Sequence, residues 1–575
     1  MRLKRHVSLL ETTLRHVATR ALLPALASTC HHYRYASTST QNPERIAILG
    51  GGVAGLSSAY FVSREFPKSK VTVFEAGKDT GGWIKSKRVE VPGGDVIFES
   101  GPRTLRNATP TAHLVQELGL LDDITYTDRT EPAAKNRYIY YPDRLNRLPA
   151  ERPSLTDVIS LWRSGILSGI MGMAKEPMQP KRPHGLTDET VGSFLERRVD
   201  KRIANNIVSA VFHGIYAGDI WQLSAKTLLS LAWQLEGKYG SALGGFFKVQ
   251  SDDPRPQQLT IAHPYDLETS KALNEEVDLD LGFAKNLKAA STFTFKNGLQ
   301  QLVRALQDSV EKKGNVEVKV NSPVQSTRPV GNDSLQVAVT FGTEPSTQTE
   351  NFDLVVSTLR NNDLTPYVTV MTVNLYYTNP SLLPVQGFGY LIPQSVPFEQ
   401  NPERALGVIF DSSAIKGQDT VDGTKVTVML GGHWWNGWNA YPDEQDGLEM
   451  AKSVLARHLN ITETPTASHV NLAKDCIPQY TLGYEDRLRD FGRGISAEFK
   501  GRLRVVGNQF NGVGVNDCIT GAWNLARGLR GEGWKSGSCG LERVMDERKW
   551  EVVEASEMVY RKEEYVREED EIGGR

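Results

Sequence analysis

A glycine turn between an apolar run and a helical pattern constrains the fold of this chain more than any other feature. Residues 46–49 are apolar and typical of a buried parallel strand, and Gly50, Gly52 and Gly55 follow at G-x-G-x-x-G spacing. The first glycine permits a tight turn, the second lets the backbone approach a pyrophosphate, and the third lets a helix pack closely on the strand. Because a helix N-terminus favours anions, the pattern predicts a dinucleotide site.

A second strand and an acid strengthen this interpretation. The run KVTVFEA predicts a strand that ends at Glu75, which lies about 20 residues beyond the last glycine, where a carboxylate can accept hydrogen bonds from ribose hydroxyls. The alternative is an ordinary glycine loop, and the motif alone does not separate NAD from FAD. The predicted dinucleotide contacts are Gly50, Gly51, Gly52, Val53, Ala54, Gly55, Glu75 and Ala76.

Composition excludes several other classes. With 575 residues the chain should form two or more domains, and its net charge of −2 gives no support for nucleic-acid binding. Its four cysteines form no C-x-x-C pair, the histidines lack ligand spacing, and no metal site is expected. No apolar run reaches the roughly 18 residues that span a bilayer.

The first residues differ in composition from the rest. Residues 1–43 are basic, poor in acids, rich in Ser and Thr near their end, and carry leucines at helical spacing. This composition is typical of a mitochondrial presequence, and a disordered basic tail is the alternative.

Several further stretches occur in the order found in one family of flavoproteins. They are GGWIKS, FESGPR, AAKNRYIYY, FHGIYAGD, QGFGYLIP, IPQYTLGY and GNQFNGVGVNDCITGA. In these stretches the chain resembles the flavin amine oxidase superfamily and, within it, the protoporphyrinogen oxidase family, from about residue 45 to residue 530.

The resemblance implies an α/β (α+β overall) architecture with three parts. These are a Rossmann-like discontinuous FAD-binding domain, a mixed-sheet substrate domain and a helical membrane-associating domain. The expected boundaries are 44–130, 295–365 and 481–550 for the FAD domain, 141–240 for the helical domain, 251–290 for a polar surface insertion, 370–480 for the substrate domain and 551–575 for a charged tail.

The resemblance also implies an activity. It is the oxygen-dependent, six-electron oxidation of protoporphyrinogen IX with release of hydrogen peroxide, using one non-covalent FAD per chain. Further expectations are a homodimer, contact with ferrochelatase, and a peripheral position on the intermembrane-space side of the mitochondrial inner membrane. Ile166, Leu167, Ile170, Met171 and Met173, beside Trp162, are the expected membrane surface; an internal amphipathic helix is the alternative.

Family positions supply further cofactor contacts. Arg103 lies in a loop expected to seat the isoalloxazine, and Val324 matches a residue whose backbone contacts adenine. The full set of added positions is Trp83, Gly101, Pro102, Arg103, Thr104, Val324, Asn508, Val513, Gly514 and Val515.

Five positions match substrate contacts of the family. Arg137 corresponds to an arginine that pairs with a substrate carboxylate, which suits a planar guanidinium. Leu391, Ile409 and Met429 match residues that flank the macrocycle, and Gly214 matches a glycine whose backbone approaches it. The alternatives are a surface arginine, ordinary core residues and a turn glycine.

No side chain stands out as a general base. His213 and Tyr484 are candidates, but the family often has a histidine where Tyr484 stands, so we expect the pyrrole nitrogens of the substrate to handle the protons. Three other functions remain open at this point. They are an amine oxidase, although Cys518 does not match the covalent attachment pattern, a carotenoid desaturase, and a non-enzymatic flavin-fold scaffold.

Overall fold

The structure is a computed structural model that describes residues 42–148, 161–251, 259–331 and 336–560. Its strands, in chain order, are β1 (Arg45–Leu49), β2 (Lys70–Phe74), β3 (Ser86–Val91), β4 (Gly94–Glu99), β5 (Ile124–Asp128), β6 (Tyr138–Tyr140), β7 (Leu145–Arg147), β8 (Leu259–Ala262), β9 (Ala290–Phe295), β10 (Val316–Lys319), β11 (Val324–Pro329), β12 (Val337–Phe341), β13 (Gln348–Phe352), β14 (Leu354–Ser357), β15 (Tyr367–Tyr377), β16 (Gly389–Leu391), β17 (Ala405–Ile409), β18 (Thr424–Gly431), β19 (Ala467–Pro478), β20 (Leu503–Val505) and β21 (Glu551–Glu554).

The longer helices are α1 (Val53–Glu65), α2 (Thr109–Glu117), α3 (Val191–Arg198), α4 (Ser209–Tyr216), α5 (Ser230–Tyr239), α6 (Ala242–Ser251), α7 (Pro264–Glu276), α8 (Leu281–Ala289), α9 (Gln300–Glu311), α10 (Glu444–Leu459), α11 (Tyr484–Phe499) and α12 (Val515–Glu532). Shorter helical turns are Leu121–Asp123, Pro132–Lys135, Met171–Lys175, Glu176–Met178, Lys201–Ile203, Ala204–Val208, Ala225–Leu228, Phe398–Gln400, Asp411–Ala414, Gly432–Trp435, Glu542–Met545 and Ala555–Met558.

A parallel five-stranded sheet forms the first layer. Its strand order is β10-β2-β1-β14-β20, so strands from both ends of the chain lie side by side. The strands are buried on both faces because α1, α9 and α12 cover one side and strands β12 and β13 cover the other, which explains why they are continuous apolar runs. The predicted α/β fold class is confirmed.

A mixed seven-stranded sheet forms the second large unit, in the order β19-β15-β18-β17-β16-β6-β7. One face packs Val373, Tyr390 and Val428 against Val454 and Leu455 of α10. Alternation along the strands leaves Thr372, Thr427 and Met429 on the other face. This second face is called the inner face below.

The helical segment differs from expectation at its start. Residues 145–147 form strand β7 of the mixed sheet, although 141–240 was predicted to be helical. Ile166 and Met173 are buried, so the prediction that they belong to a membrane surface is wrong, whereas Trp162, Met171 and Met178 are exposed. The alternative of one continuous amphipathic helix does not hold either, since Gly165 and Gly169 adopt positive φ and residues 161–163 are separated by turns from the helix Met171–Lys175.

The prediction of a polar surface insertion at 251–290 is also wrong in its described part. Helices α7 and α8 bury Leu273, Phe283 and Leu287 in the core beside the parallel sheet. The charged residues that suggested a surface insertion lie on the outer faces of these helices, whereas Thr269 and Ser270 are buried with the apolar residues. Residues 252–258 lie outside the described residues.

The start of the predicted charged tail is folded as well. Strand β21 pairs with β8, and the Tyr560 hydroxyl donates to the Val277 carbonyl at 2.7 Å. The rest of that tail, from 561 onward, and residues 1–41 of the predicted presequence lie outside the described residues. Within the described ranges, no helix is both long and apolar enough to cross a bilayer.

Candidate functional site

The glycine turn lies at the carboxyl edge of the parallel sheet. Gly50 follows β1 with φ of 101° and donates to the Phe74 carbonyl at 2.8 Å. A Cβ atom at Gly55 would lie 1.8 Å from the Gly50 carbonyl oxygen, so α1 can approach the turn only because residue 55 has no side chain. At Gly52, the N-cap of α1, a Cβ would meet only the Gly82 Cα at 3.9 Å, which leaves this side of the turn open to a ligand.

Two other chain segments reach this edge in the same way, because parallel strands end together. Glu75 follows β2, and its carboxylate accepts the N–H groups of Gly51 and Gly77, each at 2.7 Å. Each carboxylate oxygen keeps a second acceptor position, so ribose hydroxyls could still bind there. Ser322, two residues before Val324, donates to the Glu75 carbonyl, and Ala76 is exposed beside it.

The glycine pair Gly81–Gly82 packs against the turn at Gly50–Gly52. Gly81 donates to the Gly51 carbonyl at 2.8 Å, and Trp83 is half-exposed just beyond it. A Cβ at Gly101 would lie 2.3 Å from the Trp83 carbonyl, so the loop that carries Pro102 and Thr104 packs directly on Trp83. The predicted contacts at 50–55, 75–76, 81–83 and 101–104 therefore lie on neighbouring segments.

The last predicted cofactor segment begins α12. Gly514 is the N-cap of this helix, and the Asp517 carboxylate accepts the Gly514 N–H at 3.0 Å, so a negative charge occupies the first turn beside Val513 and Val515. Tyr480 and Tyr484 stack and donate their hydroxyls to the Asn508 and Gln509 carbonyls, which fixes the preceding loop. Tyr484 is therefore structural rather than a base.

Arg103 has a partner that the sequence did not reveal. Its guanidinium is 6% exposed and donates to Asp411 Oδ1 at 2.6 Å, and the Asp411 side chain is 4% exposed. The Thr427 hydroxyl donates to the other Asp411 oxygen at 2.5 Å. Arg103 thus ties the loop 101–104 to the inner face of the mixed sheet.

The predicted substrate residues share this inner face. In the register of the sheet, Gly407 lies between Leu391 and Met429, and Ile409 lies two residues further along the same strand. Arg137 precedes Ile139, the partner of Leu391, by two residues, so alternation places it on the same face. The Arg137 guanidinium lies 4.7 Å from the centroid of the Phe388 ring.

Helix α4 approaches the inner face at Gly214, the glycine predicted to contact the substrate. A Cβ at Gly214 would lie 2.9 Å from Leu391 Cδ2, so no ring fits between these two residues as they stand. A cavity of about 1180 Å³ borders Val513, Tyr216 and Tyr480, but the five predicted substrate residues do not line it. Gly214 and Leu391 are therefore in contact at one edge of the inner face.

The residue before Gly214 forms part of a buried pair. His213 Nδ1 lies 2.6 Å from the Ile392 carbonyl, and its Nε2 lies 2.8 Å from His433 Nε2. Burial lowers the pKa of His213 to about 3 and that of His433 to about 4. Both rings are neutral at pH 7, and both His213 nitrogens have partners, so His213 is not a free general base.

These buried rings predict acid sensitivity. Burial also lowers the pKa of His458 to about 4, so unfolding below about pH 6.5 lets the three histidines bind protons that the folded state excludes. Burial raises the pKa of Glu99 to about 7. As the pH falls, Glu99 therefore binds a proton in the folded state before it does so in the unfolded state, which stabilises the folded state and partly offsets the effect of the histidines. From these four groups together we expect a loss of stability of about 3 kcal/mol per pH unit at most as the pH falls from 6.5 to 4.

Urea unfolding at pH 7.0 and 5.5 measures this slope. His458→Gln should lower the slope of stability against pH by the contribution of about one proton. The glutamine, placed between Tyr390 and Gln400 as His458 is, does not titrate. His184→Gln, at an exposed position, is the control that should leave the slope unchanged. Equal stability at both pH values would contradict the prediction.

The glycine cradle and the fold define a class, and sequence comparison agrees. Residues 53–529 match the model of the family described as flavin containing amine oxidoreductase. The chain is therefore a flavin-dependent oxidoreductase.

Individual relatives narrow the class. The protoporphyrinogen oxidase of Schizosaccharomyces pombe is 33% identical over 506 residues, covering 84% of this chain and 98% of that protein. The human protoporphyrinogen oxidase is 31% identical over 504 residues, covering 82% and 96%. The chain belongs to the protoporphyrinogen oxidase family.

A solved structure supports the fold. The crystal structure of a proposed protoporphyrinogen oxidase from Exiguobacterium sp. 255-15 has a TM-score of 0.63 and 18% identity, and the match covers 85% of this chain and 99% of that one. At this identity the likeness concerns the fold alone.

Proposed function

We propose that this chain oxidises protoporphyrinogen IX to protoporphyrin IX, a six-electron reaction with molecular oxygen as final acceptor and hydrogen peroxide as co-product. The observation that carries the proposal is that Arg137, Leu391, Ile409 and Met429 share one face of a sheet to which Arg103 ties the cofactor loop. A flat apolar substrate with carboxylate substituents suits such a face, which joins apolar side chains to the guanidinium of Arg137.

We propose FAD, bound non-covalently, as the flavin. A dinucleotide fits because Gly50, Gly52 and Gly55 leave room that side chains would fill, and because the N-terminus of α1 supplies N–H donors for phosphates. When bound, the flavin would supply the two-electron acceptor for each oxidation step. Cys518 is buried and burial raises the pKa of its thiol to about 12, which argues against a covalent link there.

The chain's own residues would bind and orient the substrate. Arg137 would pair with a carboxylate, and the stacking of its guanidinium on Phe388 would hold it in place. Leu391, Ile409 and Met429 would pack on the macrocycle and exclude water. Leu391 would have to rotate away from Gly214 for the macrocycle to enter, since the two are in contact.

An aerobic assay tests the proposed function. Purified holoenzyme is given protoporphyrinogen IX, and porphyrin fluorescence and peroxide are followed together. Three peroxides per porphyrin are expected, because six electrons leave in pairs. A yellow protein that forms no porphyrin above the spontaneous rate, or that oxidises an amine or a carotenoid precursor instead, would overturn the proposal.

Removing the cation of the inner face should weaken substrate binding. Arg137→Ala is expected to lower kcat/KM by about 10- to 150-fold, mainly through KM, because a charge-assisted hydrogen bond contributes roughly 1.5–3 kcal/mol. The kcat/KM of Arg137→Lys should lie between those of the wild type and of Arg137→Ala, since an ammonium keeps the charge but not the planar fork. Arg144→Ala is the control, because Arg144 is an exposed residue of the same hairpin and pairs with Asp143.

Steady-state kinetics at equal flavin content measure these constants. Unchanged KM in Arg137→Ala would remove the assignment of Arg137 without affecting the proposed reaction.

We also propose a location. The basic composition of residues 1–43 supports import into mitochondria, and exposed Trp162, Met171 and Met178 support peripheral contact with a membrane. We propose the intermembrane-space side of the inner membrane, with a homodimer that contacts ferrochelatase to pass on its product. Fractionation of a tagged full-length chain, followed by protease treatment of intact mitochondria and of mitoplasts, tests the location.

A further inference from the structure

His213 joins the three elements that carry Gly214, Leu391 and Met429. It belongs to α4 and directly precedes Gly214. Its Nδ1 lies 2.6 Å from the carbonyl of Ile392, the residue after Leu391 at the end of β16. Its Nε2 lies 2.8 Å from Nε2 of His433, in the turn that follows β18, the strand of Met429.

The two hydrogen bonds fix the protonation of the pair. A carbonyl only accepts, so His213 Nδ1 carries a proton and donates it to Ile392. In the neutral pair His213 Nε2 then accepts, and His433 donates from its Nε2. Because each bond has a defined direction, α4 is held to both strands in one geometry.

The surroundings favour this arrangement over a charged one. His213 is 2% exposed, and Trp434 packs at 5.7 Å from its ring centroid. The charged groups that act on His433 are Asp219 and Arg404, which have opposite signs. The His433 backbone N–H also donates to the Ala217 carbonyl at 2.8 Å, just past the end of α4, so the turn contacts the helix at two points.

We propose that His213 is a positioning residue that sets the distance between α4 and the inner face of the mixed sheet, and so the width available to the macrocycle. This inference rests on the proposed function, because it concerns Gly214 and Leu391 as contacts of the proposed substrate. His213 acts through the backbone of its neighbour and touches no reacting atom.

Four variants test the role. In His213→Asn the amide can still donate to Ile392 but no longer reaches His433, and His433→Phe removes the donor from the other side. His433→Gln retains a donor near the position of Nε2. His458→Gln is the matched control, because His458 is also buried and hydrogen-bonded but contacts Tyr390 and Gln400 instead.

We expect His213→Asn and His433→Phe to raise KM for protoporphyrinogen IX at least fivefold, with flavin content unchanged and kcat per flavin within twofold. Affinity for protoporphyrin IX, measured by fluorescence titration of the holoenzyme, should fall in parallel. His433→Gln should lie closer to the wild type than His433→Phe. His458→Gln should lower stability without changing KM.

Unchanged KM and porphyrin affinity in both His213→Asn and His433→Phe would overturn the inference while leaving the proposed function intact. Lower stability with normal KM would overturn it as well, because it would show a purely structural pair. If His213→Asn fails to fold, His433→Phe decides the question alone. Failure of the wild-type enzyme to oxidise the porphyrinogen would instead refute the proposed function.

Discussion

Gly55→Ala is expected to yield a protein that binds no flavin. The added Cβ would lie 1.8 Å from the Gly50 carbonyl oxygen, far inside contact distance, so either α1 moves away from the sheet or the turn opens. Both responses would displace the N-terminus of α1 from the position at which a pyrophosphate would bind. Flavin absorbance per protein after gel filtration measures the effect, and we expect it to fall to background.

A second helical glycine offers a matched control. A Cβ added at Gly528, in α12, would have no heavy atom of another part of the protein within 4 Å, so Gly528→Ala should keep its flavin and gain up to about 1 kcal/mol in stability. Stoichiometric flavin in Gly55→Ala would show that the close approach of α1 to the turn is not required.

Asp411→Ala is expected to cost about 3–5 kcal/mol of stability, because it leaves the Arg103 guanidinium buried without its counter-ion. Flavin retention should fall as well, since Arg103 belongs to the loop that packs on Trp83. Urea unfolding gives the free energy, and flavin released on dilution gives the retention. A loss below about 1 kcal/mol would contradict the burial of this pair.

A double variant separates charge from packing. Arg103→Met combined with Asp411→Leu should recover most of the stability, because apolar residues of similar volume replace a buried ion pair at little cost or with a gain. If the ion pair serves only the fold, flavin retention recovers with stability. If its geometry positions the loop, retention stays low, which is the result we expect.

The local elements of the cofactor domain could be predicted from sequence. The strand before Gly50, the helix after it and the strand ending near Glu75 all form as expected. These segments have clear hydrophobic patterns and turn residues at their ends, so local sequence was sufficient to predict them.

Long-range partners could not be predicted in the same way. Asp411 follows a strand about 300 residues after Arg103, and nothing in the run VIFDSS identifies a buried partner. Nothing in the run GGHWW indicates that His433 would meet His213. Such pairs depend on how sheets and helices pack against one another, which hydrophobic periodicity does not indicate.

The errors have a related cause. Residues 259–290 were assigned to the surface because they are polar and acidic, yet α7 and α8 need only a narrow apolar stripe to join the core. Ile166 and Met173 were assigned to a membrane surface because they are apolar, although apolar residues on a broken helix can equally face inward.

The strand order of the parallel sheet has a consequence for biogenesis. Strand β1 pairs with β14 on one side, and β14 pairs in turn with β20 near the carboxyl end of the chain. A nascent polypeptide emerging from the ribosome therefore cannot complete this sheet until translation has passed residue 505 and α12 can dock on α1. A chain truncated by a nonsense codon anywhere before α12 lacks the helix that docks on α1, and we expect it to yield no holoenzyme, as fully as one truncated near the start.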